Sequence, residues 1–180
     1  MPNKIKFGLK NVHYAKKTED GFATPVPIPG AVSISLDAQG EITKFYADNI
    51  VYYQSTSNNG YEGSLEVALI PDTFMTDILG DVKDKNNMLV EDVNAETASF
   101  ALLFEFSGDA SARRHVLYNC TATRPSIASA TTEDAKEAQT ESLNISAVAD
   151  ENGYVKASCD ATETAYNTWF TAVKEPSMNI

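Results

Sequence analysis

Between Ala31 and Asp37 apolar and polar residues alternate: Val32, Ile34 and Leu36 point one way, Ser33 and Ser35 the other. A period of two predicts a half-buried strand. Ala38-Gln39-Gly40 reads as a turn, and a second strand follows from Glu41 to about Asp48. Asn49 to Gln54 leads into Ser55-Thr56-Ser57-Asn58-Asn59-Gly60, a small and polar run. It is expected to be the loop at the end of a hairpin, closed by an Asn-Gly turn signal. Tyr61 to Ile70 resumes as a strand, with Tyr61, Leu65, Val67 and Leu69 on one face and Glu62, Ser64 and Glu66 on the other.

Two more hairpins are predicted downstream. Ala98–Ser107 pairs with Arg113–Thr123 around Gly108-Asp109-Ala110-Ser111. Phe100, Leu102, Phe104 and Phe106 share one face of its first strand, opposite Ser99, Ala101, Leu103 and Glu105. Its second strand carries Val116, Tyr118, Cys120 and Ala122 on one side, and Arg113, His115, Asn119 and Thr121 on the other. Thr140–Ala149 and Gly153–Cys159 are expected to form the other hairpin, around Asp150-Glu151-Asn152-Gly153. Ile5 to Val12 reads as a short opening strand, and the prolines at 25, 27 and 29 make residues 23–30 an edge or loop segment. Pro71 to Gly80 is the best helix: proline suits a first turn, Asp72 the positive helix end, Phe74, Ile78 and Leu79 one apolar face, and Gly80 the cap. Asp81 to Asn87 is a polar connection, and Pro125 to Thr140 a long stretch rich in Ala, Ser, Thr and Glu. Within Thr162–Lys174 the spacing of Ala165, Trp169, Phe170 and Val173 predicts a short amphipathic C-terminal helix. The pattern amounts to a mainly β fold, a β-sandwich or partly closed barrel with one flanking helix, in one domain spanning 1–180.

Composition removes several function classes. Net charge is -11, from 14 basic and 25 acidic residues, so the chain lacks the basic footprint that grips phosphates. Met1 to Lys6 has charge but no apolar stretch behind it, so no export signal is expected, and no apolar run approaches a membrane span. The two sequons, at Asn119 and Asn144, are then chance matches, and the two cysteines, Cys120 and Cys159, are expected to be small buried thiols. His13 and His115 lie in no metal-binding pattern, and Walker, GxSxG and GxGxxG motifs are missing. The acidic pairs Glu19-Asp20, Glu91-Asp92, Glu133-Asp134 and Asp150-Glu151 each sit in a polar stretch, as solvated turns do. Asp81–Asn87 has the look of a calcium loop, but with Lys where ligands belong and no Gly at the turn position. No catalytic residue, metal or cofactor is expected.

What stands out is the mildness of the strands. Glu62–Ile70 and Ala98–Ser107 hold no lysine, the residue that usually blocks edge pairing in monomers. Such strands are either internal or free to pair with another copy.

Ala47-Asp48-Asn49-Ile50-Val51-Tyr52-Tyr53, Gly60-Tyr61-Glu62-Gly63-Ser64-Leu65-Glu66 and Ile70-Pro71-Asp72-Thr73-Phe74 follow one another, then Phe100–Phe106, Arg114–Cys120 and Ala122-Thr123-Arg124-Pro125. This ordered set resembles the major tail proteins of long-tailed bacteriophages of Gram-positive bacteria, the phi13-type tail tube family. The resemblance covers most of the chain and implies a tail-tube fold, a subunit of hexameric rings, and rings stacked into a tube in the virion. It implies synthesis in the host bacterial cytoplasm and partners in tail-tip initiator and terminator proteins. Tape-measure protein and transiting DNA are expected in the lumen without specific binding.

An acidic lining would repel phosphate, and Glu62, Ser64, Glu66 and Glu105 are the candidates to face the lumen. Gln54–Gly60, with Ser55, Asn58, Asn59 and Gly60, and Pro125–Thr140, with Ser129, Thr132 and Glu133, are the candidate assembly loops, expected to fold on contact. The alternative is a β-sandwich adhesin or carbohydrate-binding module, with Tyr52, Tyr53, Tyr61 and Trp169 as aromatic platforms.

Overall fold

The computed structural model describes residues 7–108, 111–131 and 138–178. The first strand, β1 (Leu9–Thr18), runs further along the chain than the expected Ile5–Val12, of which Ile5 and Lys6 lie outside the described residues. Its apolar positions Val12, Tyr14 and Ala15 explain the shift, since all three are buried. The two-residue strands β2 (Gly21–Phe22) and β3 (Val26–Pro27) then pair back onto β1. Prolines without an N–H keep this ladder short.

The next four strands form one hairpin in two storeys. The inner storey pairs β4 (Ala31–Gln39) with β7 (Gly60–Val67), and the outer storey pairs β5 (Ile42–Ala47) with β6 (Ile50–Thr56). The turn lies between Ala47 and Ile50, at Asp48 and Asn49, with φ of 52° and 60°. Two left-handed central residues are what a tight hairpin needs, and Asp and Asn tolerate them. The Ser55–Gly60 run is therefore not the end loop, and Ala38–Gly40 is not a turn. Ser57 N–H donates to Glu41 O at 2.9 Å and Asn59 N–H to Gln39 O at 2.8 Å, carrying the ladder through a joint halfway along the arm. Gly60 sits there with φ of 93°, and a Cβ on it would come within 2.0 Å of Ala147 O.

A bulge between Ala31 and Ser33 breaks the alternation of β4, so Val32 is exposed while Ile34 and Leu36 pack on the core. Leu69 is likewise exposed, because β7 has ended and the chain turns to bury Ile70 instead. The expected helix appears as α1 (Asp72–Asp77), capped by Pro71, with Phe74, Ile78 and Leu79 fully buried. Its C-cap is Ile78, and the chain turns away two residues later at Gly80, φ 80°. The following segment is more than a polar connection. It folds into a small hairpin of β8 (Val82–Lys83) and β9 (Leu89–Val90), whose turn Asp84 holds by accepting the N–H groups of Asn86 and Met88.

Strands β10 (Phe100–Phe106) and β11 (Arg114–Ala122) pair as expected, but an extra residue in β11 makes a bulge between the pairs Phe100↔Cys120 and Leu102↔Leu117. A bulge reverses the facing of the residues beyond it. Val116 and Tyr118 therefore point into one core, and Cys120 and Ala122 into another, correcting the single face drawn from their spacing. The last hairpin does not form as expected. β12 (Glu141–Val148) and β13 (Lys156–Cys159) do not pair with each other; both pair with β11, β12 along Asn119–Ala122 and β13 along Arg114–Leu117. The C-terminal helix is reduced to a 3-10 turn at Tyr166–Thr168. Its apolar spacing is right, since Trp169 is buried and Phe170 and Val173 pack beside it. Thr162, Thr164, Asn167, Thr168 and Thr171 are poor helix formers that favour local backbone bonds.

The main sheet runs β2-β1-β10-β11-β12-β7-β4. It curls until β1 and β4 approach without hydrogen bonding, a partly closed, mainly β shell. Inside is the main core, including Tyr14, Leu65, Phe100, Leu102 and Leu143, with α1 closing one end through Phe74. Strand β10 is buried on both faces, because Ala101 and Leu103 point outward into a second core covered by the Trp169 segment.

Candidate assembly surfaces

Strand β7 carries the polar face named from the sequence. Glu66 lies between Ser33 of β4 and Ser142 of β12, Ser64 between Ser35 and Asn144, and Glu62 between Asp37 and Ser146. Cross-strand partners share a face, so these nine residues form one polar panel with three carboxylates and no cation. Its opposite side is the main core, through Leu65 and Val67. Glu62 directly opposite Asp37 is an unfavourable like-charge pair within one subunit. Glu66 accepts hydrogen bonds from Thr140 Oγ1 at 2.5 Å and Ser33 Oγ at 2.8 Å, which hold its carboxyl below the ordinary carboxylate value.

Glu105 is not part of that panel. It is buried on β10, where Arg114 Nε reaches it at 2.7 Å, Lys10 Nζ at 3.2 Å and Asn11 Nδ2 at 2.7 Å. Arg114 itself stacks on Tyr166, with its guanidinium carbon 3.7 Å from the ring centre. Burial pushes the Glu105 carboxyl upward, but hydrogen bonds from Arg114, Lys10 and Asn11 and the charge of Arg114 outweigh it, so it titrates below its usual value. Stability from this group is fully present above its unfolded value near 4.5 and is lost as pH falls through the lowered folded value. Urea unfolding followed from neutral to acid pH should therefore show stability declining below that point. Glu105→Gln should flatten the decline; an equally steep curve would mean other carboxylates carry it.

The outer storey of the hairpin is exposed on all sides. Ile42, Phe45, Tyr46, Ile50, Val51, Tyr52 and Tyr53 are each 44–71% exposed. Strand alternation and a bulge between Phe45 and Tyr46 put Ile42, Tyr46 and Val51 on one face and Phe45, Tyr53 and Ile50 on the other. At roughly 100 Å² each they present on the order of 700 Å² of apolar surface over the two faces, so that each face alone matches the roughly 300–600 Å² of the largest patch on a typical monomer. The sequence carried this signal in Ile50-Val51-Tyr52-Tyr53, an apolar run too long for a half-solvated strand. Beneath it, β4 ends the sheet order, hydrogen-bonded to β7 on one side and approached by β1 without hydrogen bonds on the other, and contains no Lys, Arg or Pro.

The other residues singled out from the sequence are dispersed. Ser55, Asn58 and Asn59 are exposed at the hairpin joint, where Asn58 Oδ1 accepts the Gly60 N–H at 3.1 Å. Ser129 is exposed, while Thr132 and Glu133 lie outside the described residues. The aromatic platforms of the glycan reading do not converge. Tyr52 and Tyr53 are on the outer hairpin, Tyr61 is half-buried under Lys156, and Trp169 is 3% exposed with its indole N–H on His115 O.

A family model described as phage tail tube protein matches residues 5–178. A search of curated proteins gave no match. Among solved structures, the chain is similar to the anti-feeding prophage cap, a tube-terminating cap determined by cryo-EM. The TM-score is 0.53 at 9% identity, over 89% of this chain and 95% of that one, so the likeness is one of fold.

Proposed function

Because the chain belongs to the phage tail tube protein family, we propose that it builds the tube by edge-to-edge pairing of copies into rings and end-to-end contact between rings. The observation that carries this reading is the outer hairpin, whose large apolar side chains are exposed on both of its faces. A ring needs a heterologous contact that closes, and a stack needs one that does not. The undefended edge of β4 suits the first, because strand addition satisfies its free N–H and C=O groups. The outer hairpin suits the second. Pairing along β4 would extend the β12-β7-β4 panel from copy to copy, so Glu62, Ser64 and Glu66 would line the lumen of a six-membered ring. Glu105 takes no part, since its charge is neutralised inside the subunit. Carboxylates without cations give a channel that repels phosphate, suited to passing DNA and housing a tape-measure protein without gripping either. Tail-tip and terminator proteins would meet the two ends of the stack.

Negative-stain and cryo-electron microscopy of the concentrated protein test the reading. Hollow tubes or rings are expected, with the Glu62 panel inward. Uniform monomers even with tail-tip components present would overturn it. Tubes with that panel on the outer wall would overturn the lumen assignment alone.

A further inference from the structure

The subunit has a polarity. Gln39 pairs with Gly60 at the end from which the outer hairpin projects, and Leu36, Tyr61 and Phe106 line one cavity there. Beyond Val67, at the other end of β7, α1 closes the shell: Phe74 packs edge-on against Phe100, Ala98 N–H donates to Ile78 O and Arg124 Nη2 to Leu79 O. A second apolar hairpin is mounted at this far end. In β8–β9 and the residue run after it, Val82, Met88, Leu89, Val90 and Val93 are 36–95% exposed. Two strands of two residues do not hold themselves in place. Polar clamps do it: Arg124 binds Asp81 through Nη1 at 2.5 Å, Leu79 O through Nη2 at 3.0 Å and Glu91 through Nε at 3.1 Å, and Lys83 meets Asp72 at 3.1 Å. The hairpin is thus anchored to the body with its apolar side chains turned away from the core.

Resting on the ring-stacking reading above, we infer that the β8–β9 hairpin is the surface that receives the outer hairpin β5–β6 of a second copy. The two lie at opposite poles of one subunit, so joining them repeats head to tail without closing, as a stack requires. Their areas fit. The five side chains of β8–β9 offer on the order of 450 Å², close to one face of the outer hairpin, about half of its ~700 Å². A contact of about 800 Å² in total, both sides counted, is weak by itself, but repeated around a ring it passes the roughly 1,200 Å² of a stable interface several times over. Single subunits would then stay apart, while whole rings would join.

Disulfide crosslinking in assembled tubes tests the pairing. A Tyr53→Cys/Leu89→Cys variant and a Tyr46→Cys/Leu89→Cys variant probe the two faces of the outer hairpin, and the native thiols Cys120 and Cys159 are buried. Oxidation should give, in at least one variant, a ladder of covalent multimers extending beyond the dimer. Dimers alone, formed equally by Tyr53→Cys or Tyr46→Cys without Leu89→Cys, would mean that outer hairpins meet each other and would overturn the inference. Tubes that crosslink in neither variant would overturn it while leaving ring stacking intact. If the parent protein forms neither rings nor tubes, the functional reading falls first and this inference with it.

Discussion

Replacing Phe45 and Tyr53 together by aspartate should abolish tube growth while lowering the subunit's unfolding free energy by only about 1–2 kcal/mol. Both side chains lie on the same face of the outer storey, paired across β5 and β6, and each is about 60% exposed. Neither belongs to either core, so the cost to the fold is confined to this pair, whose aromatic contact is lost and whose two carboxylates would face each other. In an assembled tube the same positions would be covered, and a carboxylate there would be taken out of water without a cation. That penalty is several kcal/mol per group, and two in each subunit repeat around the ring. Sedimentation velocity and electron microscopy read the assembly, and urea unfolding reads the subunit. Tubes of normal length from the double variant would remove the outer hairpin from the interface. A large fall in stability would show instead that it supports the monomer.

Arg124→Ala should destabilise the folded subunit by about 3–5 kcal/mol, the cost of leaving a buried carboxylate without its partner. Asp81 is 6% exposed, and its shortest contact is Arg124 Nη1. The same guanidinium satisfies the carbonyl of Leu79 just after α1, so the substitution also orphans a buried acceptor. Arg124→Lys keeps the charge but not the fork, and an intermediate loss is expected. Equilibrium urea unfolding at neutral pH measures each. A midpoint unchanged in Arg124→Ala would mean that water replaces the guanidinium and that the β8–β9 hairpin needs no clamp.

The parts of this fold legible in the sequence are those whose determinants are local. Alternation in Tyr61–Val67 gave both faces of β7, and the spacing of Phe74, Ile78 and Leu79 gave the buried side of α1. Pairing over distance was less accessible. Nothing in Thr140–Cys159 says that its two strands share β11 rather than each other, because they lie end to end along one edge of that strand, a placement set by the length of the partner. The hairpin turn was misplaced because Asn59-Gly60 is the stronger turn signal, while Asp48-Asn49 adopts left-handed angles without glycine. The burial of Glu105 was not legible for a related reason. Alternation tells which residues share a face, not whether that face meets solvent, and β10 has a core on each side. Of the lumen candidates, three share a panel, and their facing in an assembly remains a proposal.

The three carboxylates of that panel sit at two heights along two paired strands, Glu62 beside Asp37 and Glu66 one turn of the pleat beyond Ser64. In a tube, each ring would repeat this pattern at the same interval and with the same sign. A polyanion moving along the axis would then meet a potential that is everywhere repulsive and nearly level, with no cation at which to pause. Friction, not binding, would set the pace of passage, and a like-charge pair that weakens the isolated subunit would keep the path clear.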